Sequence, residues 1–313
     1  MSRCFFSRLH YMKKTYRGRF APSPTGPMHF GSLLAAISSY AQARQQQGKW
    51  LVRIEDLDLP RCDTTSTKLI LNAIEAYGMQ WDEDIVYQSQ RDDYYQAALD
   101  ILIEQGDTYG CACTRKEINN ATTTNETNDI YPGTCRNGLQ NGKKARSIRM
   151  RVSDVGTNFI DSVQPPFSQN LITDVGDFVI KRADNLFAYQ LAVVVDDALQ
   201  EITEVVRGSD MLDSTPRQIF LQQRLNYLTP EYMHIPLATN TAGQKLSKQT
   251  LAPAIETADP RPTLINALHF LQQDIPTEFR DNSVDEIWQW VVKNWSAKNI
   301  PARPGLVYNK TNE

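Results

Sequence analysis

The chain has 313 residues, of which 41% are hydrophobic and 22% are charged, and its formal net charge at pH 7 is −3. This length can bury one large hydrophobic core or two smaller ones, and the apolar runs are too short for a membrane span. The small negative charge excludes a basic field over the whole surface, so any RNA must be bound by a local basic face.

The N-terminal residues and the cysteines bear on the compartment of the protein. Residues 1–15 are basic, but they lack the long apolar stretch and the cleavage site of a signal peptide. The chain carries 5 cysteines, and an odd number in a chain of this length argues against a disulfide framework. We therefore predict a cytoplasmic protein with an N-terminal extension and no membrane partner.

The next segment has the pattern of a strand, a helix and a strand. Residues 16–21 predict a short strand, residues 31–47 a helix, and residues 50–56 a strand with alternating side chains. Such a unit implies parallel strands and a right-handed crossover. Further helices are predicted over 66–77 and 91–105. We interpret residues 16–106 as the first half of an α/β domain with a Rossmann-like parallel sheet.

Residues 107–185 differ in character and predict an insertion, because they combine cysteines, a polar loop and short strand-like runs. Two apolar, β-branched runs follow, LAVVVDD over 191–197 and ITEVVRG over 202–208, and both predict buried parallel strands. With a helix over 215–225 they make up the second half of the sheet domain, residues 186–250.

Residues 251–313 predict a short helical region. Trp288, Val291 and Trp295 lie at helical spacing within it.

Two motifs carry candidate nucleotide chemistry. In RFAPSPTGPMHFGS, residues 19–32, a stiff turn leads into a helix just after His29, and the free N–H groups of a helix start favour anions. In GQKLSKQ, residues 243–249, two lysines can neutralise charge on a phosphate. Each motif alone also fits a simpler interpretation, a tight turn in the first case and a solvated basic turn in the second.

Together the two motifs resemble a known family. PSPTGPMHFGS is similar to the "HIGH" motif of class I aminoacyl-tRNA synthetases, and KLSKQ to their "KMSKS" loop. RFAPSPTG followed by VRIEDLD resembles the glutamyl-tRNA synthetases over about residues 17–250. The resemblance implies activation of L-glutamate by ATP with Mg²⁺. It assigns catalytic roles to His29 and Lys248, with further ATP contacts from Gly31, Ser32 and Lys245.

The same resemblance implies a glutamate pocket. Glu55 would pair with the α-ammonium group, and Arg19 and Arg207, each at a predicted strand end, would converge on the side-chain carboxylate. The other implied pocket residues are Phe20, Ala21, Pro22, Ser23 and Tyr189. Taken singly, each charged residue also fits a surface salt bridge. Asp196 and Asp197 match an acidic pair of the family, but no role is assigned to them.

The spacing C-x-C-x17-Y-x3-C indicates a possible metal site. Three cysteines on a loop-rich segment suggest structural zinc, although free cysteines remain an alternative on the residues alone. A zinc site of this form is characteristic of a shortened relative of the glutamyl-tRNA synthetases. The resemblance therefore implies one zinc ion held by Cys111, Cys113, Cys135 and either Tyr131 or water.

That shortened relative is the glutamyl-Q tRNA(Asp) synthetase family. Only 65 residues follow Lys248, which we interpret as too few for the helical domains that read the anticodon in full glutamyl-tRNA synthetases. The resemblance implies transfer of glutamate to queuosine in the anticodon loop of tRNA(Asp), and we expect the protein to be a monomer. The tRNA would contact a local basic face with these candidates: Arg115, Lys116, Lys143, Lys144, Arg146, Arg149 and Arg151.

Three alternatives stay open at this point. The chain could charge the acceptor end of a tRNA like a glutamyl- or glutaminyl-tRNA synthetase. It could be a catalytically silent RNA-binding paralogue, although His29, Glu55 and Lys248 are all present. It could also be a nucleotidyltransferase of small metabolites, because a fold does not fix a function.

Overall fold

The computed structural model describes residues 15–58, 62–122, 130–139, 142–154, 156–246 and 253–308. The helices are α1 (Phe30–Gln45), α2 (Thr64–Ala76), α3 (Asp92–Glu104), α4 (Arg115–Thr122), α5 (Leu171–Asp174), α6 (Tyr189–Leu199), α7 (Thr215–Arg224), α8 (Arg261–Phe270) and α9 (Val284–Asn294). The strands are β1 (Arg17–Phe20), β2 (Lys49–Ile54), β3 (Val86–Tyr87), β4 (Thr108–Cys111), β5 (Ser147–Met150), β6 (Gly156–Phe159), β7 (Phe167–Asn170), β8 (Val179–Lys181), β9 (Glu204–Gly208), β10 (Glu231–Ile235), β11 (Leu237–Thr239) and β12 (Gly305–Val307).

The predicted strand–helix–strand unit is present and parallel. β1 pairs with β2 and β2 pairs with β3, all in parallel, and α1 makes the crossover between β1 and β2. The helix begins where His29 accepts a hydrogen bond from the backbone N–H of Ser32. It ends before Gly48, whose N–H bonds to the carbonyl of Ala43. The Pro-Gly turn therefore stands at the carboxyl end of β1, where parallel sheets bind ligands.

The second half of the sheet lies beside the first. β9 and β10 pair in parallel, and two hydrogen bonds join the chain before β9 to the start of β1. Arg17 N–H donates to Thr203 Oγ1, and Thr203 N–H donates to the Arg17 carbonyl, both at 2.9 Å. The carboxyl ends of β1, β2 and β9 consequently border one region.

The strand predicted over residues 191–197 was wrong, because these residues lie in α6. All of the residues from Leu191 to Asp197 are buried, the two aspartates included, so this segment has no exposed face and shows no amphipathic period. Periodicity cannot separate such a helix from a buried strand. The other predicted helices are confirmed within three residues at each end.

The segment between α3 and α6 forms antiparallel structure of its own. β4, β5 and β8 make a three-stranded sheet, and β6 and β7 make a hairpin pair. Cys111, Ala112, Tyr131 and Cys135 form a small separate core beside the three-stranded sheet.

The largest core packs α1 between the parallel strands and the C-terminal helices. Ile287, Trp288 and Val291 of α9 are buried in it, as is Trp295, in agreement with their helical spacing. β12 pairs in parallel with β11, and the ring of Tyr308 stacks on Phe30 with 3.8 Å between centroids. Within the described residues, every helix is too short or too polar to cross a membrane.

Candidate active site

Two adjoining cavities open at the carboxyl ends of the parallel strands. The first has a volume of about 500 Å³ and is lined by the Pro-Gly turn, the start of α1 and residues 235–238. The second, of about 420 Å³, is lined by residues of β1, β9 and the start of α6. They share walls formed by Phe20, Ser23, Ala35, Asp210 and Lys245. Two small ligands bound here would therefore touch one another.

The first cavity contains the start of α1. His29, Gly31 and Ser32 all line it, together with Pro22, which the sequence analysis had placed in the amino-acid pocket. His29 Nδ1 lies 3.3 Å from the Ser32 backbone nitrogen, and its Nε2 lies 3.1 Å from Ser32 Oγ. The positive end of the α1 dipole faces this cavity, which suits a polyphosphate.

The lysine loop approaches the same helix start. A side chain on Gly31 would bring its Cβ to 3.3 Å from the carbonyl oxygen of Leu246, a tight contact that would require the loop to shift by a few tenths of an ångström. Lys245 forms an ion pair with Asp210 at 2.6 Å, at the wall between the two cavities. Lys248, the second predicted catalytic residue, lies outside the described residues.

The second cavity gathers most of the predicted amino-acid pocket. Arg19, Phe20, Ala21, Ser23, Glu55, Tyr189 and Arg207 all line it. The set combines one carboxylate, two guanidinium groups and one phenol. Such a pocket can hold a ligand that carries both an ammonium and a carboxylate group.

The two arginines are held in different ways. Arg19 donates from Nε to Asp197 Oδ1 at 3.1 Å, so its charge is already paired. Arg207 donates from Nε to His234 Nε2 at 3.0 Å and from Nη2 to Thr215 Oγ1 at 2.9 Å. Its Nη1 is buried and has no hydrogen-bond partner among the described residues. That nitrogen is therefore available to a ligand.

Glu55 stands at the end of β2 with its side chain 9% exposed. Burial raises the pKa of Glu55 to about 7, although Arg53 and Arg19 act in the opposite direction. Its Oε1 lies 3.6 Å from Arg53 Nη2 and has no hydrogen-bond partner among the described residues. A bound ammonium group would supply the missing donor and would favour the ionised carboxylate.

Asp196 and Asp197 have a structural role that the sequence analysis did not find. Asp197 Oδ1 accepts from Arg53 Nη2 at 2.7 Å and from Arg19 Nε, and these two guanidinium groups, acting against burial, hold the pKa of Asp197 below its usual value.

Asp196 accepts from Gln88 at 2.7 Å, from Arg91 at 2.6 Å and from Tyr95 at 2.8 Å. The pair thus joins α6 to β1, β2 and α3. The sequence did contain a signal for this role in Arg53. A charge in an otherwise apolar strand requires a buried partner.

The four predicted metal ligands lie together. The sulfur atoms of Cys111, Cys113 and Cys135 are within 4.8 Å of one another, and the distance from Cys113 to Cys135 is 3.6 Å. Tyr131 Oη lies 3.4 Å from Cys111 Sγ and 3.6 Å from Cys113 Sγ. A tetrahedral zinc ion with ordinary bond lengths needs ligand separations of about 3.5–3.8 Å. The distances from Cys113 to Cys135 and from Tyr131 to the two sulfur atoms are close to these values, so the cluster can hold a metal ion such as zinc.

One residue of the predicted basic face is mostly buried. Arg149 is buried, its guanidinium stacks on the Tyr131 ring at 3.7 Å, and its Nη1 donates to the Asp177 carbonyl. It supports the cysteine cluster, and it also lines the cleft that holds two other candidates of the basic face. Arg115 and Arg146 line a cleft of about 1200 Å³ together with Arg182, which the sequence analysis missed.

The comparisons with known proteins agree with this architecture. The family model described as tRNA synthetases class I (E and Q), catalytic domain, matches residues 15–273. A crystal structure of a glutamate-tRNA synthetase from Elizabethkingia anophelis superposes with a TM-score of 0.79, covering 95% of this chain and 68% of that chain. At 24% identity this structural likeness supports the fold alone.

The chain belongs to this family of class I tRNA synthetases, and it is a ligase-type enzyme. Several curated relatives are more specific. A glutamyl-Q tRNA(Asp) synthetase from Thiobacillus denitrificans is 52% identical and is covered over 95% of its length, with 92% of this chain. Proteins with the same name from Dechloromonas aromatica and Escherichia coli are 51% and 48% identical, over 93% and 91% of this chain.

Proposed function

We propose that the protein activates L-glutamate with MgATP and transfers the glutamyl group to queuosine in the anticodon loop of tRNA(Asp). The observation that carries the first step is the pair of adjoining cavities, one suited to a polyphosphate and the other to an acidic amino acid. The names of the relatives support the queuosine step. In the first step, an α-carboxylate oxygen of glutamate attacks the α-phosphorus of ATP, and pyrophosphate leaves.

The pocket residues position glutamate for this attack. Glu55 pairs with the α-ammonium group, and Arg19 and Arg207 bind the side-chain carboxylate. Tyr189 Oη adds a polar contact in the same cavity. Since binding rather than acid–base chemistry orients the reacting groups, most of the rate acceleration comes from alignment and from charge stabilisation.

The nucleotide residues stabilise charge on ATP. His29, the amide group of Gly31 and the side chain of Ser32 bind phosphate oxygens, and Lys245 breaks its ion pair with Asp210 to bind them as well. Lys248 completes this set as a prediction from the KLSKQ motif.

The inserted segment serves the tRNA. Cys111, Cys113, Cys135 and Tyr131 hold a structural zinc ion that keeps β4 and the following turn together. The cleft with Arg115, Arg146 and Arg182 then binds backbone phosphates beside the target base.

Two assays on the purified protein test the proposal. Glutamate-dependent exchange between ATP and pyrophosphate tests activation, and labelled glutamate with tRNA(Asp), with or without queuosine, tests transfer. We expect exchange with glutamate and labelling only of the queuosine-containing tRNA. Labelling of both tRNAs at the 3′ end would instead indicate acceptor-end charging. Absence of exchange in a zinc-loaded protein would indicate a silent RNA-binding paralogue.

A further inference from the structure

Three buried side chains form a line that ends at the amino-acid cavity. Asp161, between β6 and β7, contacts His234 of β10, and His234 contacts Arg207 of β9. The Asp161 Oδ2 to His234 Nδ1 distance is 2.5 Å, and the His234 Nε2 to Arg207 Nε distance is 3.0 Å. Asp161, His234 and Arg207 are 6%, 0% and 7% exposed, so water does not mediate these contacts.

The hydrogen bonds fix where the histidine proton lies. The Nε–H of an arginine can only donate, so His234 Nε2 must accept and cannot carry a proton. The ring proton therefore sits on Nδ1 and is donated to Asp161. Burial lowers the pKa of His234 and Arg207 adds to this, while Asp161 opposes them only in part, so the ring is neutral.

A neutral partner has a consequence for the charge of Arg207. Among the described residues, no carboxylate lies within ion-pair distance of its guanidinium, whereas Arg19 is paired with Asp197. An imidazole orients the guanidinium without neutralising it. Arg207 therefore keeps a full positive charge and a buried Nη1 without a partner, ready for an anionic ligand.

We propose that Asp161 is a positioning residue for the glutamate side chain: it fixes the Nδ1-protonated form of His234, which holds Arg207 for the substrate carboxylate. The inference rests on the proposed activation of glutamate and adds two residues from outside the cavity. Neither residue lines the cavity, so neither is a contact of the substrate.

Asp161→Asn tests the role of the proton with little change of shape. Asp161 Oδ1 accepts three backbone N–H groups, those of Val163, Gln164 and His234, at 2.8–3.1 Å. An asparagine must keep its oxygen there, which places its NH₂ group against His234 Nδ1. The ring then accepts at Nδ1 and carries its proton on Nε2. There the ring N–H faces the Nε–H of Arg207, so two donors meet and no hydrogen bond forms. The same logic makes an Asp-to-Asn change damaging where a carboxylate fixes a histidine tautomer.

Two substitutions of His234 separate the effect of an acceptor at the position of Nε2 from the effect of losing the imidazole ring. In His234→Gln the amide oxygen can occupy the position of Nε2 and accept from Arg207. In His234→Asn the shorter side chain reaches only the position of Nδ1. We expect the glutamine variant to keep the KM for glutamate within about threefold, and the asparagine variant to raise it about 10- to 100-fold, the cost of an unmatched buried donor.

The readout is the glutamate-dependent ATP–pyrophosphate exchange. Asp161→Asn should raise the KM for glutamate about 10- to 100-fold while the KM for ATP and kcat at saturating glutamate stay within about threefold. A folded Asp161→Asn variant with an unchanged KM for glutamate overturns the inference, as do equal values for the two His234 variants. Absence of exchange in the unsubstituted protein overturns the proposed function instead.

Nitrogen NMR of the histidine rings in the unsubstituted protein gives a second measurement that does not depend on the stability of any Asp161 variant. The His234 ring is assigned by its loss in His234→Gln. A proton on Nδ1 with a bare Nε2 is the expected result, and a proton on Nε2 contradicts the inference.

Discussion

At the scale of single residues, binding of an amino acid in the second cavity should depend on the protonation of one carboxyl group. Burial has shifted the pKa of this group. Glu55 has a pKa of about 7, mainly because burial disfavours its charge. An ammonium group binds the ionised carboxylate, so proton and substrate compete for this residue. Binding of glutamate should consequently weaken in mild acid.

We predict that kcat/KM for glutamate falls about tenfold per pH unit below pH 7, where Glu55 becomes protonated. The KM for ATP should change much less over the same range. Glu55→Gln mimics the protonated acid. This variant should have a low kcat/KM for glutamate, and that value should be nearly independent of pH between 5 and 7. A full pH dependence retained in Glu55→Gln would show that another group titrates.

A second prediction concerns the pH dependence of folding stability and rests on Glu204. Burial raises its pKa to about 7, Gln42 opposes this with a 3.4 Å contact, and Oε1 has no hydrogen-bond partner among the described residues. The native state therefore keeps the proton up to a higher pH than the unfolded chain does. The folded state is favoured below the unfolded pKa near 4.5, and this contribution is lost as the pH rises to about 7.

Glu204→Gln should thus be more stable than the unsubstituted protein at pH 8, by about 1–3 kcal/mol, and nearly equal to it at pH 4.5. Urea unfolding at both pH values measures the difference. Glu278→Gln is a matched control, because Glu278 is exposed and is not among the charges that raise the pKa of Glu204. A gain at pH 8 that is no larger than the gain at pH 4.5 would contradict the prediction.

At the scale of elements, the cysteine cluster joins β4 to the turn around Cys135 and to Tyr131. The hydroxyl of Tyr131 also accepts from the Cys135 backbone at 2.9 Å, and Arg149 covers its ring. This small core contains few apolar side chains. A bound metal would therefore contribute much of its folding free energy.

Cys113→Ala should lower the zinc content and increase hydrogen exchange in residues 107–146, most of all in β4 and around Tyr131. Cys62→Ala is the control, since Cys62 lies outside the cluster. Metal analysis of both proteins, followed by exchange mass spectrometry, measures the effects. Equal zinc content in the two variants would show that the cysteine cluster does not bind the metal.

Elements with a clear period were predictable from the sequence, and interactions between distant elements were not. α1 and β2 showed helical and alternating patterns and are confirmed, and residues of both motifs, among them His29 and Lys245, line the first cavity. α6 was missed because its buried residues have no polar face.

Asp161 and His234 were missed for another reason. They are 73 positions apart and belong to no motif, so only the fold brings them together. The same holds for Arg182, which reaches the basic cleft from the end of β8.

At the scale of the whole molecule, the cavities proposed for activation and the cleft proposed for tRNA occupy separate surfaces. The cavities lie at the ends of the parallel strands, whereas the basic cleft lies on the inserted antiparallel sheet. Arg182 forms ion pairs with Asp58 at 3.2 Å and Asp184 at 2.7 Å, so part of its charge is already balanced there.

The double variant Arg146→Ala with Arg182→Ala should lower kcat/KM for tRNA about 10- to 100-fold and weaken its salt dependence, with little effect on ATP–pyrophosphate exchange. Arg280→Ala with Lys298→Ala removes the same charge from exposed positions in the C-terminal region. If this control lowered kcat/KM for tRNA equally, net charge rather than the cleft would determine tRNA binding.

The last described residues pair with β11 through β12 and reach the start of α1 through Tyr308. Pro304 accepts hydrogen bonds from Leu237 N–H and Ser209 Oγ, and Tyr308 covers Phe30, the first residue of α1. Trimming the protein after Ile300, a change far from the cavities in the sequence, would uncover the start of α1, which we propose binds phosphate. Fusions to this end should accordingly be joined through a spacer that leaves the strand and its tyrosine in place.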